Sequence, residues 1–341
     1  MTKYTIKDIA RETGYSISTV SRVLNNKEEG MSKETRKRIL EVVKEMNYRP
    51  NQFARGLITK KSNMLGLIVP NISNPFFPEL CRGAEDEAVQ NGFSLIICNS
   101  DDQANKEERY IHLLKEQQVD GILLASMNKL TRGNERILTD SQIPYILVDR
   151  GVDVDSATGV FMDNFKGGYL AGKHLIELGH RKIACMTGPA DITNANKRLK
   201  GFLQALNEHD ISIPSHYILN GNYHMEDAYD LAKRFLAEHE VTAIFTGNDL
   251  MACGVYRAAF ELNISIPNDL SVIGFDDIPF GEALNPKLST IRQNTYQIGK
   301  DSVKLLIKKI RNEPVESLFY EPTLVVRNST QNLIQSPSLG N

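Results

Sequence analysis

From Met64 to about residue 330 the chain repeats one unit, a short apolar run followed by an amphipathic helical stretch, and this rhythm admits few folds. MLGLIVP, SLIIC, DGILLA and PYILVD read as buried strands, with PELCRGAEDEAVQNG and KEERYIHLLKEQ as helices between them. The rhythm then restarts. KIACMTG, VTAIFTG and LSVIGFD read as strands, and KGGYLAGKHLIELG, NKRLKGFLQALNEH, EDAYDLAKRFLAEH and DLMACGVYRAAFEL as helices. Two strand-helix arrays of similar size predict an α/β body of two doubly wound parallel sheets side by side. Such sheets bind ligands beyond the carboxyl ends of their strands, so a site is expected in the cleft between two lobes.

The first 61 residues follow another pattern. They carry 14 Lys and Arg against 7 Asp and Glu, a net +7, whereas the remainder carries 26 against 35, a net −9. A basic module on an acidic body is the electrostatic footprint of a polyanion partner confined to one end, although a lysine-rich helix face is also commonly just solvated. Thr5-Ile6-Lys7-Asp8 predicts a helix start with a hydroxyl cap and an acidic first turn, and Ile6, Ile9, Ala10 and Thr13 share one face until Gly14. Ser16 is placed to cap a second helix that turns Val20, Val23 and Leu24 inward and leaves Ile17, Ser18, Ser21 and Arg22 outward. Two short helices about a glycine turn make a helix-turn-helix, and an outward Arg among small hydroxyls suits the major-groove edge of guanine. A third helix from Ser32 carries Ile39, Val43 and Met46 inward and Arg36, Lys37, Arg38 and Lys44 outward, near phosphates if DNA is bound. The alternative is a generic three-helix miniature domain with a solvated basic face.

Other classes find little support. No apolar run approaches the ~18–20 residues of a membrane span and no signal-peptide core follows Met1, so a cytoplasmic protein with no membrane partner is expected. The four cysteines, Cys81, Cys98, Cys185 and Cys253, form no CxxC pair and read as buried thiols. The seven histidines lack metal-ligand spacing; no metal, cofactor or catalytic residue is expected, and no G-x-S-x-G elbow, P-loop or G-x-G-x-x-G suggests an enzyme. Asp276 and Asp277 are adjacent, so their carboxylates should diverge rather than act as a dyad.

Strand-end residues mark the expected cleft: Asn74, Phe76 and Phe77 after the first strand, Asp149-Arg150 at the end of the fourth, Arg198 after the GPADITNANK loop, Asn248 after FTG, Asp276 after VIGF and Gln293 after STIR. A sugar needs aromatic faces for its C–H surface and planar polar groups for pairs of hydroxyls, and this set offers both. Each has a structural alternative: Asp149-Arg150 as an ion pair, Asn248-Asp249 as a helix cap, Phe76 as core. Arg198 or Lys197 also leaves room for an anionic sugar.

The run TIKDIARETGYSISTVSRVLNN followed by SKETRKRILEVVKEMNYRPNQFARGL resembles the DNA-binding headpiece of the LacI/GalR family of bacterial repressors, with a loop at Asn26–Met31 about one residue longer than usual. The resemblance implies operator contacts from Thr5, Ser16, Ile17, Ser18, Thr19, Ser21, Arg22 and Asn25. It also implies a hinge over 51–61 in which Asn51 and Arg55 meet DNA and Leu57 wedges into a base step from the minor groove; otherwise 51–61 is a linker. The domains expected are a headpiece at 1–50, the hinge at 51–61, an effector and dimerisation domain at 62–330, and a short tail at 331–341. The body is similar to periplasmic sugar-binding proteins. That likeness implies three crossings, a first lobe of about 62–162 plus 292–322, a second of about 163–291 plus 323–330, and a last helix near Tyr296–Arg311 in the first lobe. The cleft set resembles that of ribose-binding proteins and ribose-responsive repressors, with Tyr223 where a Phe is usual. The expectation is a homodimer on a pseudo-palindromic double-stranded operator, released by a small sugar such as ribose. A catabolite-control regulator using a phosphorylated carrier protein as corepressor is the alternative, and the cleft set disfavours it.

Overall fold

The computed structural model describes residues 4–24, 31–48, 62–125, 132–149 and 158–334, with the side chains of 132–135 excepted. The chain divides into two compact units, Met1–Ser62 and Asn63–Asn341.

In the first unit Ile6–Thr13 (α1), Ile17–Leu24 (α2) and Lys33–Glu45 (α3) pack around Ile9, Ala10, Val20, Val23, Ile39 and Val42. Val42 takes the fully buried place that the spacing gave to Val43; Val43 and Met46 lie at the margin of this core. The Asp8 carboxylate accepts both the Thr5 backbone N–H and the Thr5 hydroxyl at 2.8 Å. Those bonds, the backbone one first, lower the Asp8 pKa. Gly14 ends α1 at φ +73°, a conformation cheap only for glycine. Ser16 Oγ then accepts the Thr19 N–H at 3.1 Å, and Ser32 Oγ accepts that of Thr35 at 3.1 Å, so hydroxyls start both following helices.

The second unit holds two six-stranded sheets. The first contains Met64–Val69 (β1), Ser94–Asn99 (β2), Gly121–Leu124 (β3), Tyr145–Asp149 (β4), Gly159–Met162 (β5) and Leu318–Tyr320 (β11), in the order β11-β5-β4-β3-β1-β2 and parallel throughout. The second contains Ile183–Thr187 (β6), Ile218–Asn220 (β7), Ala243–Thr246 (β8), Ser271–Asp276 (β9), Ser289–Arg292 (β10) and Thr323–Val325 (β12), in the order β12-β10-β9-β8-β6-β7, with β12 alone antiparallel. Phe76–Gln90 (α4) and Thr295–Ile310 (α12) cover one face of the first sheet, Ala104–Glu116 (α5) and Arg132–Ser141 (α6) the other. Around the second sheet Asn164–Glu177 (α7) and Thr193–Asn207 (α8) face Met225–Glu238 (α9) and Asp249–Glu261 (α10). Phe280–Ala283 (α11) is a single turn.

The chain passes between the sheets three times: from β5 to α7, from β10 to α12 and from β11 to β12. Arg292 pairs with Asp276 inside the second sheet, so the second passage falls after residue 292 and not before it. The end of the second lobe also extends further than the expected tail boundary. Gln331 N donates to Ser271 Oγ at 3.0 Å and Leu333 N to Leu178 O at 2.8 Å, tying 331–334 to that lobe.

Helices α7 and α8 meet backbone to backbone. A Cβ on Gly168 would lie 1.9 Å from Arg198 O, and one on Gly201 would lie 1.9 Å from Phe165 O. This contact fixes the height of α8, and with it the origin of the Arg198 side chain.

Candidate ligand cleft and nucleic-acid interface

One cavity of about 300 Å³ lies where strand ends of both lobes face each other, lined by Asn74, Phe76, Phe77, Asp149, Asn194, Arg198, Tyr223, Asn248, Asp276 and Gln293. Nine of these ten are residues that the sequence singled out; Asn194 is the addition. Arg150, the remaining candidate, lies outside the described residues.

The first lobe brings the aromatic faces. Asn74 Oδ1 accepts the Phe76 N–H at 3.1 Å and opens α4, after which Phe76 and Phe77 stand edge to face with centroids 5.1 Å apart. Both rings belong to the core of the first lobe, as the core reading of Phe76 has it, and both also line the cavity. Asp149 ends β4 with φ +60°.

The second lobe brings the polar groups. Arg198 is buried, its guanidinium 3.7 Å from the centroid of the Phe275 ring. Its Nε donates to Asn164 Oδ1 at 2.8 Å, and its Nη1 donates to Gly247 O at 2.5 Å and to Asp276 Oδ1 at 3.4 Å. With Nε and Nη1 engaged, Nη2 is the guanidinium nitrogen without a hydrogen-bond partner among the described residues. Gln293 Nε2 donates to Asp276 Oδ1 at 2.6 Å, while Gln293 Oε1 has no hydrogen-bond partner among the described residues. A buried amide oxygen without a donor costs about 1–3 kcal/mol, which a ligand hydroxyl would recover. Asn248 caps α10 and also lines the cavity: Oδ1 accepts the Met251 N–H at 2.9 Å, and Nδ2 donates to Tyr223 O at 3.3 Å.

Asn194, at the start of α8, donates from Nδ2 to Asp149 O at 3.3 Å, a bond between the lobes across the cavity. The sequence signal for it is its place in GPADITNANK, the segment that follows a strand and precedes Arg198. Three pocket residues, Asp149, Tyr223 and Asp276, have φ of +60°, +63° and +113°. Such conformations cost of order 1–3 kcal/mol each and cluster at ligand clamps.

The adjacent aspartates do diverge. Asp276 faces Arg198 and Gln293, whereas Asp277 is held by Arg292 Nε at 2.5 Å and by Arg327 Nη2 at 2.7 Å. Asp249, behind the pocket, accepts the Thr290 hydroxyl at 2.6 Å and the Ile278 N–H at 2.9 Å. Complete burial, reinforced by the charge of Asp276, raises its pKa well above the carboxylate range. Among the described residues no group of three or more His, Cys, Asp or Glu is arranged to hold a metal, and no helix is long and apolar enough to cross a membrane.

In the headpiece Thr5, Ser16, Ile17, Ser18 and Arg22 are exposed, and Thr19 and Ser21 are half-buried. Ile17 leaves 46% of its surface to solvent, an unusual position for a residue its helix could have buried. The Ser16 hydroxyl lies within 2.8 Å of those of Ser18 and Thr19, so the start of α2 presents a polar cluster beside that apolar side chain. Major-groove readers place such groups at the start of the recognition helix. On α3, Lys33, Arg36, Lys37 and Lys44 form an exposed basic flank. Asn25, Asn51, Arg55 and Leu57 lie outside the described residues.

Residues 5–51 match the family of bacterial regulatory proteins of the lacI type, and residues 62–330 match the family of periplasmic binding proteins and sugar-binding domains of the LacI family. The chain is 38% identical over 330 residues to the ribose operon repressor of Halalkalibacterium halodurans, covering 96% of this chain and 97% of that one. It resembles the crystal structure of a LacI-family regulator from Enterococcus faecium with bound ribose, with TM-score 0.71 and 32% identity over 79% of this chain and 99% of that one. It also resembles the lac repressor dimer bound to operator and an anti-inducer, with TM-score 0.89 and 26% identity over 97% of this chain and all of the other. Headpiece and two-lobed body are thus matched in one order along nearly the whole length, and the chain belongs to the LacI family of bacterial regulatory proteins.

Proposed function

We propose that this chain represses a sugar-utilisation operon in the cytoplasm, binding a pseudo-palindromic operator as a homodimer through α2, and that a small sugar in the cleft, ribose first, releases it. The observation that carries the reading is the convergence of nine sequence-selected residues, from separate strand ends of two lobes, on one cavity of about 300 Å³. Its lining pairs three aromatic side chains with an Arg, two Asp and three amide side chains besides Asn194, the chemistry that planar hydroxyl pairs require. The relatives agree: one is a ribose operon repressor, and one solved structure holds ribose.

The Asn194–Asp149 bond already joins the lobes across the cavity, and a sugar bound there would add contacts to both and favour their closure. If closure alters the spacing of the two headpieces in a dimer, the operator-competent state loses population, and operator must weaken sugar binding by the same factor. The test is titration calorimetry of the purified protein against ribose, galactose, fructose and glucose, repeated with Asp276→Ala. Micromolar ribose binding lost in the variant supports the reading. Binding of none of these sugars, with release of operator by a sugar phosphate or a phosphorylated carrier protein instead, overturns it.

A further inference from the structure

A second chamber of about 700 Å³, open to solvent, adjoins the inner cavity and shares three of its lining residues, Asn74, Phe77 and Tyr223. Asn71 and Asp102 extend it on the first lobe, Pro189 and Ile192 on the second. A ligand longer than a monosaccharide would therefore have room to continue outward, but for the side chains that stand between the two spaces.

We infer that Tyr223 is the specificity-determining wall between these chambers, and that Gly188 is the residue that positions it. This inference rests on the reading of the inner cavity as a sugar site. Tyr223 lines both spaces, and its place is fixed from three sides. Its backbone sits at φ +63°, and Asn248 Nδ2 holds its carbonyl at 3.3 Å while Oδ1 of the same side chain caps α10. Its ring lies flat against Gly188, where a Cβ would meet three ring carbons at 2.3, 2.4 and 2.6 Å. Those contacts are closer than any real Cβ makes, so the ring takes this position only because residue 188 has no side chain. The ring also stands within cation–π range of the Arg198 guanidinium, 5.9 Å from its centroid, which ties the wall to the polar side of the cavity. Phe77 approaches from the opposite lobe, so the partition is assembled from both lobes. The chain thus selects by size at one aromatic ring, accepting a free pentose and rejecting the same pentose carrying a bulky substituent.

Two variants separate this role from general structure. Tyr223→Gly removes the ring and suits the positive φ; Gly188→Ala displaces the ring while leaving it present, and Gly188 has no positive φ to forbid alanine. The probes keep the sugar constant: ribose, uridine as a ribose substituted at C1, and 5-O-benzylribose as one substituted at C5. In calorimetry the wild-type chain should prefer ribose to both. Tyr223→Gly should shift the affinity ratio toward one of the substituted forms by about tenfold or more, the scale of a one-group steric discrimination. Gly188→Ala should shift the same ratio in proportion to the lost ribose affinity, and because it is a ratio, any loss of stability common to all ligands cancels. A ratio unmoved in both variants overturns the inference, since a merely structural role would lower all affinities together. A substituted form bound as well as ribose by the wild-type chain overturns it also. Should the wild-type chain bind another monosaccharide and not ribose, the ribose reading falls, and the wall is judged on that sugar and its substituted forms by the same ratio.

Discussion

Gly168→Ala puts a methyl group where α7 touches α8. Alanine ordinarily favours a helix interior by about 1 kcal/mol over glycine, so on propensity alone the variant would be stabilised. The new Cβ would, however, lie 1.9 Å from Arg198 O, 2.7 Å from its carbonyl carbon and 3.0 Å from its Cα. These are backbone atoms of a packed helix and cannot rotate away. Reaching an ordinary contact of 3.4 Å requires a separation of about 1.5 Å along that line. Overpacking of this kind costs about 1–3 kcal/mol, which offsets or outweighs the propensity gain, so a net loss of up to about 2 kcal/mol is expected. The displacement also carries Arg198 away from Asp276 and Asn164, so ribose affinity should fall together with stability. Urea unfolding and ribose calorimetry on the same preparation read both effects. Gly281→Ala is the control, because its nearest neighbour would be 3.6 Å away. A Gly168→Ala protein as stable as wild type with unchanged ribose affinity would refute the argument that this helix contact sets the Arg198 position.

Asn194→Ala removes the bond to Asp149 O between the lobes and should weaken ribose binding severalfold with little change in unfolding midpoint; equal affinity would show that the bond does not contribute to closure. His180 is fully buried, with Nδ1 2.9 Å from Thr242 Oγ1, and burial pushes its pKa down to about 4. The unfolded chain takes up this proton near pH 6.5 and the folded one only near pH 4. The His180 contribution is therefore complete above about pH 6.5 and lost as pH falls toward 4, so urea midpoints should drop over that window less steeply in His180→Asn. His174, also lowered by burial, acts in the same direction. In the headpiece, Arg22→Ala should cost about 1–3 kcal/mol of operator affinity and relax specificity at one base pair, whereas Lys37→Ala should weaken all sequences alike and reduce the salt slope. Identical behaviour of the two variants across operator sequences would contradict the division into reading and positioning faces.

The long strands and helices of the body were legible because their apolar periods are long enough to count. β5, β7, β11 and β12, of three or four residues each, gain their identity from pairing with neighbours and not from local pattern. Tyr320 illustrates this: its carbonyl accepts the Asp163 N–H at 3.0 Å across 157 residues of sequence, a contact no window can report. Ligand candidates were readable at strand ends because that is where a parallel sheet exposes side chains. Their roles were less so. That Asn248 divides its amide between a helix cap and Tyr223, or that Arg198 lies on Phe275, depends on the packing of α8 and α10 against the second sheet. The positive φ of Asp149, Tyr223 and Asp276 had no sequence signal, since neither Asp nor Tyr announces a left-handed backbone as glycine does.

Release of operator by sugar requires linkage between the two units. Fluorescence anisotropy of a labelled operator duplex, titrated with the protein with and without saturating ribose, measures it. Ribose should lower operator affinity by about 5- to 150-fold, and Asp276→Ala should bind operator normally but ignore the sugar. Operator affinity that is identical with and without ribose, in a protein that calorimetry shows to be ribose-bound, would contradict the central claim.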